Sequence, residues 1–222
     1  MMKKIFLTTV IAVFLLVIGA CVNETSVDNI AISNSNDNKA ELGIFDDSDE
    51  VETIWVMGDY PHYNSISDLA SYATDVVRVE VLNERVEWLN TWLEPPPPEI
   101  HPYNLYTIHR IRVLEVFQGD AEIGDILEVR QIGGQQDGLR VINEDEVPLA
   151  IGDDLVLFLR ASYIENFPSV LLNPYQSAYY SPSENALIDI DEDLESVNPD
   201  NDLVLTTEDL IQIAEDDYAS DN

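Results

Sequence analysis

One cysteine, Cys21, is all that this chain contains. That excludes an intramolecular disulfide and any zinc site built on several thiolates. Stability must come from an apolar core or from bound ions. Basic side chains are scarce too. Lys3, Lys4, Lys39 and seven arginines stand against 43 acidic residues, for a formal charge of −33. Nucleic acid is not expected as a partner, because phosphate binding needs Lys and Arg to displace counterions. Anionic lipid headgroups are repelled for the same reason. Histidines number three: His62, His101 beside Pro102, and His109. There is no G-x-S-x-G elbow, no H-E-x-x-H and no phosphate-cradling glycine loop. Among so many carboxylates no glycosidase pair stands out. The expectation is therefore a protein that is not an enzyme.

What is present begins at the N-terminus. Met1–Lys4 is short and basic, and residues 5–18 are apolar except for Thr8 and Thr9. Ile18-Gly19-Ala20-Cys21 follows. This is the layout of a secretory signal, with small residues where a peptidase closes on extended backbone. The apolar run is shorter than the roughly 20 residues a span needs. An aliphatic residue and two small ones before cysteine resemble a bacterial lipobox. The resemblance implies cleavage before Cys21, a thioether-linked diacylglyceryl there, and acylation of the new amino end. Residues 1–20 are then a lipoprotein signal peptide. The lipid supplies the membrane attachment, and the mature chain sits on the extracytoplasmic face of the cell membrane.

Residues 21–50 are rich in Asn, Ser and Asp and lack periodicity. That composition buries too little surface to offset ordering entropy, so a disordered tether is expected. The remainder, 51–222, reads as a single domain. Residues 53–57 form a short strand candidate. Ser65 caps a short helix, with Asp68 completing a capping box. Val77, Val79 and Val81 alternate with Arg78 and Glu80, as in a half-buried strand whose pairing extends toward Trp88. Pro95–Pro98 cannot donate ladder hydrogen bonds and mark a stiff loop. Strands are predicted over 105–116, 126–132 and 155–159, the last apolar throughout and so the most buried. Residues 135–143 read as a loop and a weak strand, with shorter strands at 170–172, 178–180 and 186–190. Gly133-Gly134 ends a strand. Between Glu184 and Asn222 there are fourteen acidic residues and no basic one. Thr206 caps a last helix whose Leu210, Ile213 and Ala214 form an apolar stripe. Glu215-Asp216-Asp217 sit at the helix end that disfavours negative charge, so fraying is expected there.

Many strands, one early helix and Gly-Asp turns predict a mainly β fold with minor α. The order Ala73-Thr74-Asp75-Val76-Val77, then Phe117-Gln118-Gly119-Asp120, then Leu149 to Leu159 resembles a group of secreted bacterial lipoprotein domains. Those carry an OB-like barrel related to netrin and metalloproteinase-inhibitor (TIMP-like) modules. The resemblance covers about residues 65–215 and implies a five-stranded OB-like barrel with an early short helix and a C-terminal helix. A β-sandwich is the alternative. Gln118 stands where lysine is usual in that group, and Asp154-Leu155-Val156 where Glu-x-Tyr is common. The resemblance brings no catalytic residue.

Two candidate sites remain. Asp189, Asp191 and Asp193 begin like a calcium loop, in which alternate oxygens converge on one ion, with Asp200 or Asp202 as further ligands. Leu194 stands where an EF-hand needs glycine and Asp200 where it needs glutamate, so any Ca2+ site is irregular. Trp88, Trp92, Tyr103 and Tyr106 flank the proline loop and offer a platform for a saccharide or an envelope protein. The function expected is a non-catalytic binding or interaction role at the cell envelope. A calcium-binding or calcium-stabilised envelope module is the alternative.

Overall fold

Five consecutive residues, Leu155–Leu159, are wholly buried, and the arrangement of strands around them explains why. A computed structural model describes residues 51–92, 97, 103–181 and 193–220. Asp47–Asn222 cluster as one compact unit. The strands are β1 (Glu52–Val56), β2 (Asp75–Asn90), β3 (Tyr103–Gln118), β4 (Ile126–Ile132), β5 (Gly134–Gln136), β6 (Leu139–Asn143), β7 (Asp154–Arg160), β8 (Ser169–Leu171), β9 (Ala178–Tyr180), β10 (Asp193–Leu194) and β11 (Leu205–Thr206). Two helices, α1 (Ile66–Tyr72) and α2 (Thr207–Ser220), complete the described elements. The fold is mainly β, as expected.

β2 pairs with β3, β3 with β4, β4 with β8, β8 with β7, and β7 with β2. These pairings close a ring of five strands. Every strand of the ring contributes to one apolar cluster: Val77, Val79 and Val81 from β2, Ile111 and Val113 from β3, Val129 from β4, Leu155, Leu157 and Leu159 from β7, and Leu171 from β8. This cluster fills the ring. Side chains alternate along a strand, so Val156 and Phe158 point outward. There they join a second cluster with Ile66, Leu69 and Ala70 of α1 and Leu210 and Ile213 of α2. β7 is thus covered on both faces, which is what a continuous apolar run requires. Each such side chain stabilises the fold by about 1.5–3 kcal/mol. β1, β6 and β5 form a separate three-stranded sheet, and the whole also fits description as a β-sandwich.

Local chemistry sets the helix starts. Ser65 Oγ accepts from Asp68 N at 3.1 Å, but Asp68 Oδ2 accepts from Asn64 N at 3.3 Å, one residue earlier than a capping box has it. At α2 the box is reciprocal: Asp209 N donates to Thr206 Oγ1 (3.1 Å) and Thr206 N to Asp209 Oδ2 (2.9 Å). The fraying expected at Glu215-Asp216-Asp217 does not occur. The helix runs to Ser220, with Gln212 Nε2 donating to Asp216 Oδ1 and Ser220 Oγ to the Asp217 carbonyl. Residues 135–143 form a true hairpin rather than a loop and a weak strand. Asp137 (φ +53°) and Gly138 (φ +76°) make its two-residue turn, joining β5 to β6. The strand expected at 186–190 lies outside the described residues. Among those residues no helix is long and apolar enough to cross a membrane.

Candidate functional site

The chain leaves the ring at Gly133-Gly134, between β4 and β5. Both glycines have positive φ, and a Cβ on Gly134 would lie 2.8 Å from Val86 Cγ1. Only glycine lets the backbone pass this close. Gly133 N donates to the Leu105 carbonyl (2.9 Å), and Thr107 Oγ1 donates to the Gly133 carbonyl (3.0 Å). The departure of the chain here opens two adjoining clefts, which share Gln131, Ile132 and Glu146 as a wall.

The first cleft, about 340 Å³, is lined by Glu84, Thr107, His109, Arg140 and Asn143 besides the shared wall. His109 is fully buried, and neither ring nitrogen has a hydrogen-bond partner. Its nearest carboxylate oxygen, on Glu84, is 3.7 Å from Nδ1. Burial holds its pKa below the ordinary value, against the opposing pull of Glu84 and the Gln131 carboxamide. Gln131 is itself fixed, donating to the Val147 carbonyl (3.1 Å) and accepting from Leu149 N (3.2 Å).

Glu146 is the most perturbed acid in the site. Burial pushes its pKa up to about 7, although Asn143, the Ile132 backbone N–H and Tyr60 favour its ionised form; Asp145 raises it further. Its Oε2 is buried without a hydrogen-bond partner. A carboxyl poised near neutrality in a cleft donates or accepts a hydrogen bond according to its occupant. Its neighbours are well tied: Asn143 Nδ2 donates to Tyr60 Oη (2.8 Å), and Asp145 accepts from Gly58 N (2.8 Å) and from the Tyr175 hydroxyl. Those two bonds, the tyrosine's first, hold the Asp145 pKa below the usual range.

The second cleft, about 360 Å³, is lined by Tyr60, Pro61, Tyr63, Tyr106, Arg130, Arg160, Val170, Leu172 and Pro174 with the shared wall. Both volumes fall in the roughly 300–1,000 Å³ range of small-molecule sites. Strand register builds this second cleft. Arg130 of β4 and Arg160 of β7 both pair with Val170 of β8, so the three side chains share one face of the sheet. Tyr106 pairs with Ile132, two residues along β4, and joins that face. Arg130 lies 5.7 Å from the ring centroids of both Tyr106 and Phe167, and its Nη1 donates to the Pro168 carbonyl (2.9 Å). Among the described residues this lining holds no Ser, Thr, Cys or His.

The predicted site residues are distributed differently. Trp88 pairs with Leu105 and Asn90 with Tyr103, placing Trp88 and Tyr103 on one face of the β2–β3 hairpin. Tyr106 pairs with Glu87 and falls on the other. The four aromatics therefore do not form one platform. Tyr106 is buried beside Arg130, whereas Trp92 and Tyr103 are exposed. Of the calcium candidates, Asp189 and Asp191 lie outside the described residues, as does the lipidation candidate Cys21. Asp193 is exposed on β10, paired with Thr206. Asp202 accepts from Gln176 Nε2 (2.8 Å) and lies 3.3 Å from His62 Nε2. Sequence reasoning missed Tyr60, Arg130, Glu146 and Arg160. The one signal available for the arginines was their scarcity in so acidic a chain; Glu146 carried none. No family model, curated protein or solved structure matches the chain.

Proposed function

We propose that this chain is a lipid-anchored lipoprotein of the extracytoplasmic membrane face, and that its domain is a non-catalytic module that binds a ligand in the paired clefts around Glu146. The anchor rests on the signal layout and on Cys21. The binding role rests on one observation: the clefts hold polar atoms whose hydrogen-bonding capacity the protein itself leaves unmet, Glu146 Oε2 and the two His109 ring nitrogens. Leaving such groups unsatisfied costs about 1–3 kcal/mol each, a cost that a ligand with matching groups relieves. The closed ring of five strands with its terminal helix supports the resemblance to OB-like, netrin-type modules.

The experiment has two readouts. Mass spectrometry of the membrane-extracted protein should find a diacylglyceryl thioether at residue 21, and Cys21→Ser should release the protein from membranes. An unmodified Cys21 overturns the anchor. Crosslinking or ligand-observed NMR should place bound ligand at Glu146 and Tyr60; binding confined to the Trp92–Tyr103 region overturns the location.

A further inference from the structure

Three of the seven arginines outside the signal segment are ion-paired: Arg78 with Asp154, Arg85 with Glu87 and Glu128, and Arg112 with Glu80. Of the other four, Arg110 and Arg140 lie outside the second cleft, whereas Arg130 and Arg160 both line it. Among the described residues neither has a carboxylate within ion-pair distance, although the chain carries 43 acidic residues. Arg130 is part-buried, and burial weakens its hold on the proton. An uncompensated cation out of water is unfavourable, and with carboxylates so abundant a pairing partner is readily available. Here the fold instead fixes Arg130 between two rings and one carbonyl, and register sets Arg160 on the same face across β8. Two adjacent strands are about 4.8 Å apart, so the two Cα atoms, two strands apart, are separated by roughly 10 Å. Arginine side chains are long enough to reach a single small anion from that spacing.

We propose that the tyrosine–arginine cleft is a carboxylate-binding site for an acidic sugar, its carboxylate bridging Arg130 and Arg160 and its ring lying along Tyr60, Pro61 and Pro174. The inference rests on the reading of the clefts as the binding site and names their ligand class. The wall alternates apolar surface with phenol groups, which suits a pyranose with a C–H face and a hydroxyl rim. An extended peptide is disfavoured, because the cleft floor, β8, is paired on both sides and offers no open edge to augment. A phosphate dianion is disfavoured relative to a singly charged carboxylate, because the net charge of −33 and the adjacent Glu146 oppose its second negative charge.

The test is a ligand-observed NMR titration of the full chain in detergent. The probes are sodium glucuronate, neutral methyl glucoside, inorganic phosphate and an N-acetylated tripeptide with a free carboxylate. Glucuronate should bind, with the glucoside at least tenfold weaker. Arg160→Gln, at an exposed position, should weaken glucuronate roughly 10- to 100-fold, the range for charge-assisted hydrogen bonds, without altering thermal melting. Arg110→Gln, outside both clefts, should leave affinity unchanged. Equal binding of glucuronate and glucoside overturns the carboxylate site but leaves a sugar-binding cleft. Preference for the tripeptide or phosphate overturns the sugar class while leaving the cleft a binding site. Absence of binding by every probe overturns the proposal, and crosslinking at Glu146 and Tyr60 then decides separately whether the cleft is the binding site.

Discussion

Replacing Glu146 with Gln removes one ionisation and little else. In the folded protein this carboxyl ionises at about 7 rather than at 4.5, chiefly because it is withdrawn from water. Below pH 4.5 it is neutral in folded and unfolded chains alike, and its ionisation imposes no penalty. As pH rises through 4.5 toward 7, the unfolded chain ionises first and the folded state loses stability step by step. Above about pH 7 the loss is complete. At about 1.4 kcal/mol per pH unit the interval corresponds to about 3 kcal/mol, trimmed toward about 1–2 kcal/mol because Glu146 is not sealed from solvent. Glutamine matches the size and shape and does not ionise. Glu146→Gln should therefore be more stable than the parent at pH 8, by about 1–2 kcal/mol, and nearly equal to it at pH 4.5. For a domain of this size the gain is a rise in Tm of several degrees, at roughly 2–4 °C per kcal/mol. His109 titrates in an overlapping window with the opposite sign, since its pKa is lowered and the folded state gains stability as pH rises. Comparing parent and variant at each pH cancels that contribution. Melting followed by circular dichroism from pH 4.5 to 8 is the assay. A difference that does not change with pH, or a variant less stable at pH 8, refutes the reasoning.

Other outcomes follow from single residues. His109→Leu replaces a buried ring without hydrogen-bond partners by an apolar side chain of similar size, and should raise stability by about 1 kcal/mol or more at pH 5 and by less at pH 8; lower Tm at both would show that the ring is satisfied. Gly134→Ala places a Cβ against Val86 at a φ of +131°, and should lower urea stability by about 2–3 kcal/mol; a loss under about 0.5 kcal/mol refutes that account. Trp92, at 43% exposure, should tolerate alanine with a loss below about 1 kcal/mol, and a severe loss of cooperative melting would place it in the core. A calcium site at Asp189 and Asp191 predicts a saturable, EDTA-reversible rise in Tm that vanishes when both become Asn; the same rise with sodium chloride would be screening of acidic charge and would remove the calcium reading.

Much of the fold was legible because its signals are local. Ser65 and Thr206 announced their helices, since an N-cap needs only its own side chain and an amide three residues on. The boundaries of β4 and β9 follow from alternation and flanking turns. The apolar run at 155–159 announced burial on both faces, and the structure supplies the two covering layers. Asp137-Gly138 is a hairpin signal, and it joins β5 to β6 where composition alone suggests a loop and a weak strand. The four aromatics misled because proximity in sequence does not set the face: the pairing of Glu87 with Tyr106 turns that ring away from Trp88 and Tyr103.

The cleft was not legible, for a physical reason. Composition and periodicity determined by themselves that the chain is acidic, mainly β and built around strands with helices at each end, because these depend on residues a few positions apart. That Arg130 and Arg160 share one face across Val170 depends on the register of three strands separated by up to 40 positions. That Glu146 ionises near neutrality depends on which groups exclude water from it. Register and desolvation are properties of the assembled chain, and only the tertiary structure decided them.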